Sequence, residues 1–211
     1  FVVWDRQVRE LFLARDRYGI KPLYYAQCGD TFLFASEIKA MAVHPAFKPE
    51  VDREALLEYF TFQNFFTDRT LFKGVRLLPA GSWMTVSTAA VNLPVSYWDF
   101  QFEEPAQADD EHAYREELDR LLQQAVSRQL VSDVEVGAYL SGGMDSGTVT
   151  ALAAREIPNL HSFTCGFDLH SASGIELAFD ERDSAELMSY RFGTEHYEMV
   201  LKAGDMERAM P

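Results

Sequence analysis

The sequence predicts an α+β part followed by an α/β part that contains a parallel sheet. Three observations support this: the first hundred residues are rich in short strand patterns, an acidic segment interrupts the chain, and strands then alternate with helices. Alternation with short connections is typical of parallel strands joined by crossover helices. With 211 residues, of which 47% are hydrophobic, the chain is long enough for one large globular domain or two small ones.

The first part combines short strands with two short helices. Gly29 and Asp30 predict the tip of a hairpin. Ser36 is the expected N-cap of a helix over Glu37–Val43, and Asp52 is the expected N-cap of the next helix. The predicted strands of this part are Phe1–Asp5, Glu10–Arg15, Leu23–Ala26, Phe32–Ala35, Val75–Leu78 and Ser82–Val86.

An acidic segment that contains a proline, Glu103–Glu111, is the expected linker between residues 1–102 and residues 112–211. The strongest helical pattern of the chain follows it. Its apolar residues recur at the spacing of one helix face, and they are Tyr114, Leu118, Leu121, Leu122, Ala125 and Val126. Strands are then predicted over Val134–Leu140, Leu160–Gly166 and His196–Val200, with helices over Asp145–Arg155 and Asp183–Phe192.

Charge and composition exclude several functions. The 33 acidic and 19 basic residues give a net charge of −14, which disfavours nucleic acid as a partner. No apolar run approaches the roughly 18 residues of a membrane span, so no membrane partner is expected. The two cysteines, Cys28 and Cys165, lie in different predicted domains, and we expect both to be reduced, as in a cytoplasmic protein. The five histidines lack the spacing of metal ligands.

Two segments of the first part have more than one interpretation. Arg15, Asp16 and Lys21 belong to the segment RDRYGIKPLYY, which is a functional cluster or, with better support, a structural turn whose charges pair. The segment SEIKA is either part of an interface between the domains or a capped helix.

The segment VEVGAYLSGGMDSGTVTAL carries the strongest chemical signal. A strand leads into Ser141, Gly142 and Gly143, and Asp145 and Ser146 follow at the start of a helix. Glycines let a backbone approach a ligand closely, and the N–H groups at a helix N-terminus bind phosphate. A carboxylate beside phosphates indicates Mg²⁺, with Asp145 as the ligand.

Two common nucleotide motifs do not fit this segment. The lysine of the G-x-x-x-x-G-K-[ST] loop is absent, and G-x-G-x-x-G does not occur. The loop resembles SGGxDS, the PP-loop of the ATP pyrophosphatases, which holds the pyrophosphate released from ATP.

The whole chain resembles the glutamine-dependent asparagine synthetase family. The similar segments are RDRYGIKPLYY, FASEIKAM, LFKGVRLLPAGSWMTV, SYWDF, the PP-loop, HSFTCGF, FDERDSAELM and FGTEHYEM. The resemblance implies a glutaminase domain of the N-terminal-nucleophile type with αββα layers, followed by a Rossmann-like PP-loop domain. It further implies that ATP and Mg²⁺ convert aspartate to an aspartyl-adenylate, which ammonia from glutamine then amidates.

The resemblance also assigns residues to the nucleotide. It implies that Leu140 and Cys165 flank the adenosine, and that Ser141, Gly142, Gly143, Asp145 and Ser146 contact the phosphates and Mg²⁺. We expect Leu140 and Cys165 to form one apolar wall at neighbouring strand ends, with Cys165 buried. The resemblance leaves a homodimer open.

The chain departs from the family pattern in two places. The family's nucleophile is a cysteine at the mature N-terminus, and residue 1 is Phe. A later S-G-E-G-[SA]-D-E segment is also missing. We therefore expect a fragment that lacks both ends of the protein, has no glutaminase activity by itself and uses neither Cys28 nor Cys165 as a nucleophile.

Other functions on the same fold are weighed against asparagine synthesis. A related amidotransferase or a β-lactam synthetase-like enzyme would act on another carboxylate, and the residues of this chain do not separate these from the first hypothesis. The net charge argues against a tRNA-modifying PP-loop enzyme. The carboxylate of Asp145 argues against a non-catalytic nucleotide-binding protein.

Overall fold

The computed structural model describes residues 1–103, 110–168, 180–202 and 204–209. The chain forms two compact units, Phe1–Glu104 and Pro105–Pro211. Most of the predicted linker lies outside the described residues. None of the described helices is both long and apolar enough to cross a membrane.

The first unit contains two antiparallel sheets. Its strands are β1 (Val2–Asp5), β2 (Glu10–Ala14), β3 (Tyr24–Cys28), β4 (Thr31–Ala35), β5 (Val75–Leu77), β6 (Ser82–Ser87) and β7 (Val95–Ser96). One sheet has the order β1-β2-β6-β7 and the other has the order β4-β3-β5. The predicted hairpin is confirmed, because Cys28 pairs with Thr31 on either side of Gly29 and Asp30.

The two sheets pack face to face. One core cluster joins β2, β3 and β6 through Leu13, Leu23, Tyr25, Leu78, Met84 and Val86. A second cluster covers the other face of β3 and contains Ala26, Met41, Phe47 and Val75. Side chains of one strand alternate between the two faces of a sheet, so neighbouring Tyr25 and Ala26 enter different cores.

The helices of the first unit are α1 (Ile38–Met41) and α2 (Arg53–Phe62). Asp52 caps α2 as predicted, since its carboxylate accepts from the N–H groups of Glu54 and Ala55 at 3.0 and 3.1 Å. The N-cap predicted at Ser36 is wrong. Glu37 is still extended, with φ −136° and ψ 133°, so α1 begins one residue later than predicted and has no side-chain cap.

Arg15 closes the turn that leads into β3, and the structure supports the structural interpretation of its segment. Its guanidinium donates to the carbonyl oxygens of Lys21, Leu78 and Gly19. Burial lowers the pKa of Arg15. Asp16 accepts from the N–H groups of Lys21 and Ile20, which hold the pKa of this carboxyl below its ordinary value.

We expect Arg15→Lys to lower the free energy of unfolding by about 2 kcal/mol, because a lysine ammonium cannot reproduce a planar fork with three fixed donor directions. Urea unfolding measures this change. Arg17→Lys is the matched control, since Arg17 lies over the Trp98 ring at 6.0 Å and a lysine can do the same. Equal stability of the two variants would contradict the structural role of Arg15.

The second unit is built on a parallel sheet with the order β10-β9-β8. Its elements are α3 (Glu111–Gln129), β8 (Gly137–Tyr139), α4 (Met144–Glu156), β9 (His161–Phe167), α5 (Arg182–Phe192), β10 (Glu195–Leu201) and α6 (Asp205–Ala209). The predicted alternation and parallel pairing are confirmed. Strand β8 is shorter than predicted, because residues 134–136 and Leu140 lie outside it.

One face of this sheet is covered and the other is open among the described residues. Helix α4 contacts β8, α5 contacts β9 and β10, and the two helices contact each other. The chain passes from β8 to β9 to β10 in one direction along the sheet. Right-handed crossovers in one direction place their helices on the same face. The opposite face exposes Tyr139, Phe163, Phe167, Tyr197 and Met199.

The apolar stripe of α3 predicts a buried helix face, but among the described residues this face is buried only in the C-terminal half of the helix. Val126 is buried against Leu152, Ala153 and Leu160, and Leu122 is partly buried beside them. The earlier members of the stripe, Tyr114, Leu118 and Leu121, are exposed. The periodicity identified the helix correctly, but it did not show how much of the stripe the described residues cover.

Candidate functional site

The glycine-rich loop connects β8 to α4 at the carboxyl ends of the parallel strands. Leu140 follows the last residue of β8, and Gly143 is the N-cap of α4 with φ −80° and ψ 153°. Ligands of open α/β sheets bind at this edge. The loop therefore lies where the fold places a binding site.

Two hydroxyl groups hold the loop in shape. The N–H of Ser141 donates to Oγ of Ser146 at 3.1 Å, and the N–H of Gly143 donates to Oγ of Ser141 at 3.1 Å. The two hydroxyl oxygens are 2.8 Å apart and share a hydrogen bond. The serines on either side of the glycines thus form a closed ring around the turn.

This ring leaves several backbone donors open. The first hydrogen bond of α4 joins the N–H of Gly147 to the carbonyl of Gly143 at 3.1 Å. Within the described part of the chain, the N–H groups of Gly142, Met144, Asp145 and Ser146 have no acceptor. A row of open N–H groups at the N-terminus of a 13-residue helix is a favourable environment for an anion.

Asp145 lies in the first turn of α4 and is exposed. Its carboxylate has no ion pair or hydrogen bond to any other described residue. Among the residues that the structure describes, no group of three or more His, Cys, Asp or Glu side chains could hold a metal ion. A single carboxylate beside an anion-binding loop is the donor set of a magnesium ion whose other ligands come from phosphate and water.

The shared apolar wall predicted for Leu140 and Cys165 is wrong. The N–H of Leu140 donates to the Phe163 carbonyl at 2.9 Å, and its own carbonyl accepts from the Thr164 hydroxyl, which places Leu140 opposite Thr164 in register. Leu140 and Thr164 are buried beneath the helices, whereas Cys165 is exposed, not buried as predicted. Successive residues of a strand point to opposite faces, so Leu140 and Cys165 lie on different faces of the sheet.

At the end of β8, Tyr139 rather than Leu140 shares a face with Cys165. It pairs with Phe163, which is two residues from Cys165 on the same strand, and it is 89% exposed. Tyr139 also lines a cavity of about 590 Å³, together with Asp145 and Ser146 of the loop. Most of the remaining lining of this cavity is apolar, and neither Leu140 nor Cys165 contributes to it.

A second helix begins close to the loop. At α5, Arg182 donates to both carboxylate oxygens of Asp180, from Nε at 2.8 Å and from Nη2 at 2.6 Å. This pairing raises the pKa of Arg182 and lowers the pKa of Asp180. Both side chains are largely covered, so the pair holds the entry into α5.

Comparison with known proteins finds a match in each of the two units. Residues 1–98 match a family described as a glutamine amidotransferase domain, and residues 117–211 match the asparagine synthase family. Asparagine synthetase [glutamine-hydrolyzing] 3 of Bacillus subtilis is 37% identical over 98% of this chain. The chain belongs to the family of glutamine-hydrolysing asparagine synthetases.

Two further relatives show the range of this family. Asparagine synthetase [glutamine-hydrolyzing] 1 of Bacillus subtilis is 31% identical over the whole chain, which covers 32% of that relative. Amidase chyE of Penicillium rubens is 32% identical over 82% of this chain, and 28% of it is covered. The chain spans about a third of the length of the first relative, 34%, and similar shares of the others.

Two residues near the glycine-rich loop are not predicted from the sequence. Tyr139 could have been found by counting the two-residue period of β9 and β8, which separates it from Leu140. Ser184 lies in the first turn of α5 against Gly142, and no local pattern connects these two segments. Only the packing of α5 on the sheet brings them together.

Proposed function

We propose that the protein is an asparagine synthetase that uses ATP to adenylate aspartate, releases pyrophosphate and then amidates the product with ammonia from glutamine. The open N–H groups of the Ser141–Ser146 loop are the observation that carries this proposal. They fit a polyphosphate, and the family to which the chain belongs supplies the reaction. Residues 1–102 would belong to an αββα glutaminase domain, 103–111 to a linker and 112–211 to a PP-loop ATP pyrophosphatase domain.

Each residue of the loop has a distinct task in this proposal. The N–H groups of Gly142, Met144 and Ser146 would bind phosphate oxygens, and the Ser141 hydroxyl would turn from the Gly143 N–H to the nucleotide. Asp145 would hold Mg²⁺ against the same phosphates. When bound, Mg²⁺ stabilises the charge that develops on the leaving pyrophosphate.

The adenosine would lie on the open face of the sheet beside Cys165 and Tyr139. Their neighbouring strands end next to the loop, and both side chains are exposed there. Leu140 would support the loop from below, because it is only 2% exposed. The small-molecule substrates are consistent with a cytoplasmic enzyme, and a homodimer stays a proposal.

One comparison supports a second candidate for the carboxylate that the enzyme would amidate. The chain is also similar to a protein named as an amidase, so a related amidotransferase or a β-lactam synthetase-like enzyme acting on another carboxylate stays open. Pyrophosphate release by the full-length protein, measured with ATP and a panel of carboxylates, separates the two. Aspartate-dependent release with asparagine as product supports the first proposal, and release with a different acid supports the second.

Thiol labelling tests the position of the adenosine. We expect Mg·ATP at ten times its Kd to slow the reaction of Cys165 with iodoacetamide about tenfold, because the bound nucleotide covers the thiol. Cys28 lies in the other unit and is the control within the same molecule, since its rate should not change. Equal labelling of Cys165 with and without saturating nucleotide would exclude the adenosine from this face.

A further inference from the structure

The first turn of α5 lies directly against the nucleotide loop. A Cβ atom added at Gly142 would be 2.7 Å from Cβ of Ser184, 3.3 Å from its hydroxyl oxygen and 3.5 Å from Cβ of Glu181. Real Cβ atoms do not come so close to another carbon, so Gly142 has no room for a side chain. The loop thus reaches its position because glycine lets α5 approach it.

Gly166, near the end of β9, also lets the first turn of α5 approach closely. A Cβ atom at Gly166 would be 2.8 Å from Cγ of Arg182 and still closer to its Cδ and Nε. The guanidinium beyond these atoms is held by Asp180 and approaches the Phe167 carbonyl at 3.5 Å. The first turn of α5 is therefore fixed between the end of β9 and the loop after β8.

This turn presents open donors to the loop. The first hydrogen bond of α5 joins the N–H of Ala185 to the carbonyl of Glu181 at 2.9 Å, and the N-cap Glu181 makes no side-chain cap. Among the described residues, neither the N–H nor the hydroxyl of Ser184 has a partner. Ser184 is also exposed. Its donors therefore lie close to Gly142, and neither they nor the Gly142 N–H have a partner among the described residues.

We propose that Ser184 contacts the pyrophosphate portion of ATP from the first turn of α5. This inference rests on the proposed function, because it assumes that the loop binds the phosphates of ATP. The Ser184 hydroxyl oxygen lies 3.3 Å from the place of a Cβ atom at Gly142, so a phosphate held by the Gly142 N–H would have this hydroxyl as a neighbour. Glu181 and Asp183 precede Ser184 in the same turn, and their carboxylates repel phosphate. The Arg182 guanidinium is paired with Asp180. The Ser184 hydroxyl is therefore the uncharged side-chain donor that this turn offers to a phosphate.

Calorimetric titration of the full-length protein with Mg·ATP, inorganic pyrophosphate and AMP tests the proposal. We expect Ser184→Ala to weaken the binding of ATP and of pyrophosphate about tenfold, the loss of one hydrogen bond to a charged ligand. Binding of AMP, which lacks the last two phosphates, should not change. Ser184→Asp should weaken ATP and pyrophosphate at least about a hundredfold, since a carboxylate then faces them.

Ser127→Ala and Ser127→Asp are the matched controls, because Ser127 is exposed on α3 in the same unit. Unchanged ATP and pyrophosphate affinities in both Ser184 variants would overturn this inference and leave the proposed function intact. Equal weakening of AMP would also overturn it, because the effect would then be structural. Failure of the unaltered protein to bind ATP and pyrophosphate would overturn both proposals.

Discussion

An Asp145→Asn enzyme is expected to release pyrophosphate about a hundredfold more slowly than the unaltered full-length protein at saturating ATP and carboxylate. The amide has nearly the shape of the carboxylate but lacks the charge that would hold Mg²⁺ at the phosphates. Asp145 makes no hydrogen bond or ion pair to other described residues, so its replacement should leave the fold unchanged. Pyrophosphate release and the dependence of the rate on Mg²⁺ concentration measure the effect.

Asp133→Asn serves as the control for this variant. Asp133 is exposed in the segment before β8 and lies outside the loop. Its replacement removes the same charge from the same unit, which separates the local effect from a change in net charge. An Asp145→Asn enzyme with the rate and Mg²⁺ dependence of the control would show that the carboxylate does not hold the metal.

Gly142→Val is expected to lower the free energy of unfolding by about 3 kcal/mol and to abolish measurable ATP binding. The branched side chain would overlap Cβ of Ser184, which an unbranched Cβ would already approach to 2.7 Å. Overpacking of this kind costs roughly 1–3 kcal/mol, and the turn of α5 must move to relieve it. Urea unfolding measures the first effect, and calorimetric titration with Mg·ATP measures the second.

Gly143→Val is the matched comparison in the adjacent position. Among the described residues, a Cβ atom there would meet only Oγ of Ser141, at 3.2 Å, and the backbone has an extended conformation open to any residue. We expect little loss of stability but a loss of ATP affinity, because the side chain would stand where the phosphate approaches. Similar stabilities of the two variants would contradict the close packing of α5 on the loop.

Much of the fold could be predicted because it depends on short-range patterns. The strand predicted over Leu160–Gly166 is β9, His161–Phe167, and the helix predicted over Asp183–Phe192 is α5. Asp52 was identified as an N-cap because its carboxylate bonds to its own neighbours. Ser36 is not an N-cap, because Glu37 after it is still extended and α1, which places Met41 in the second core cluster, begins at Ile38.

The boundaries of β8 show why other predictions were less accurate. The segment Val134–Leu140 suggested seven strand residues, and only Gly137–Tyr139 pair with β9. Strand length is set by the hydrogen-bonding partner, which lies elsewhere in the chain. The same applies to α3, whose apolar stripe is covered, among the described residues, where α4 and Leu160 reach it.

The sequence by itself determined the family, the order of the elements and the loop from Ser141 to Ser146, because motifs and periodicity are local properties. The tertiary structure decided that Leu140 faces the helices while Tyr139 and Cys165 face the open side, since the phase of a strand follows from its register. It also decided that Ser184 meets Gly142, a contact between distant segments. Such contacts depend on how a helix packs on a sheet, and this packing is the sum of many weak interactions that no short segment contains.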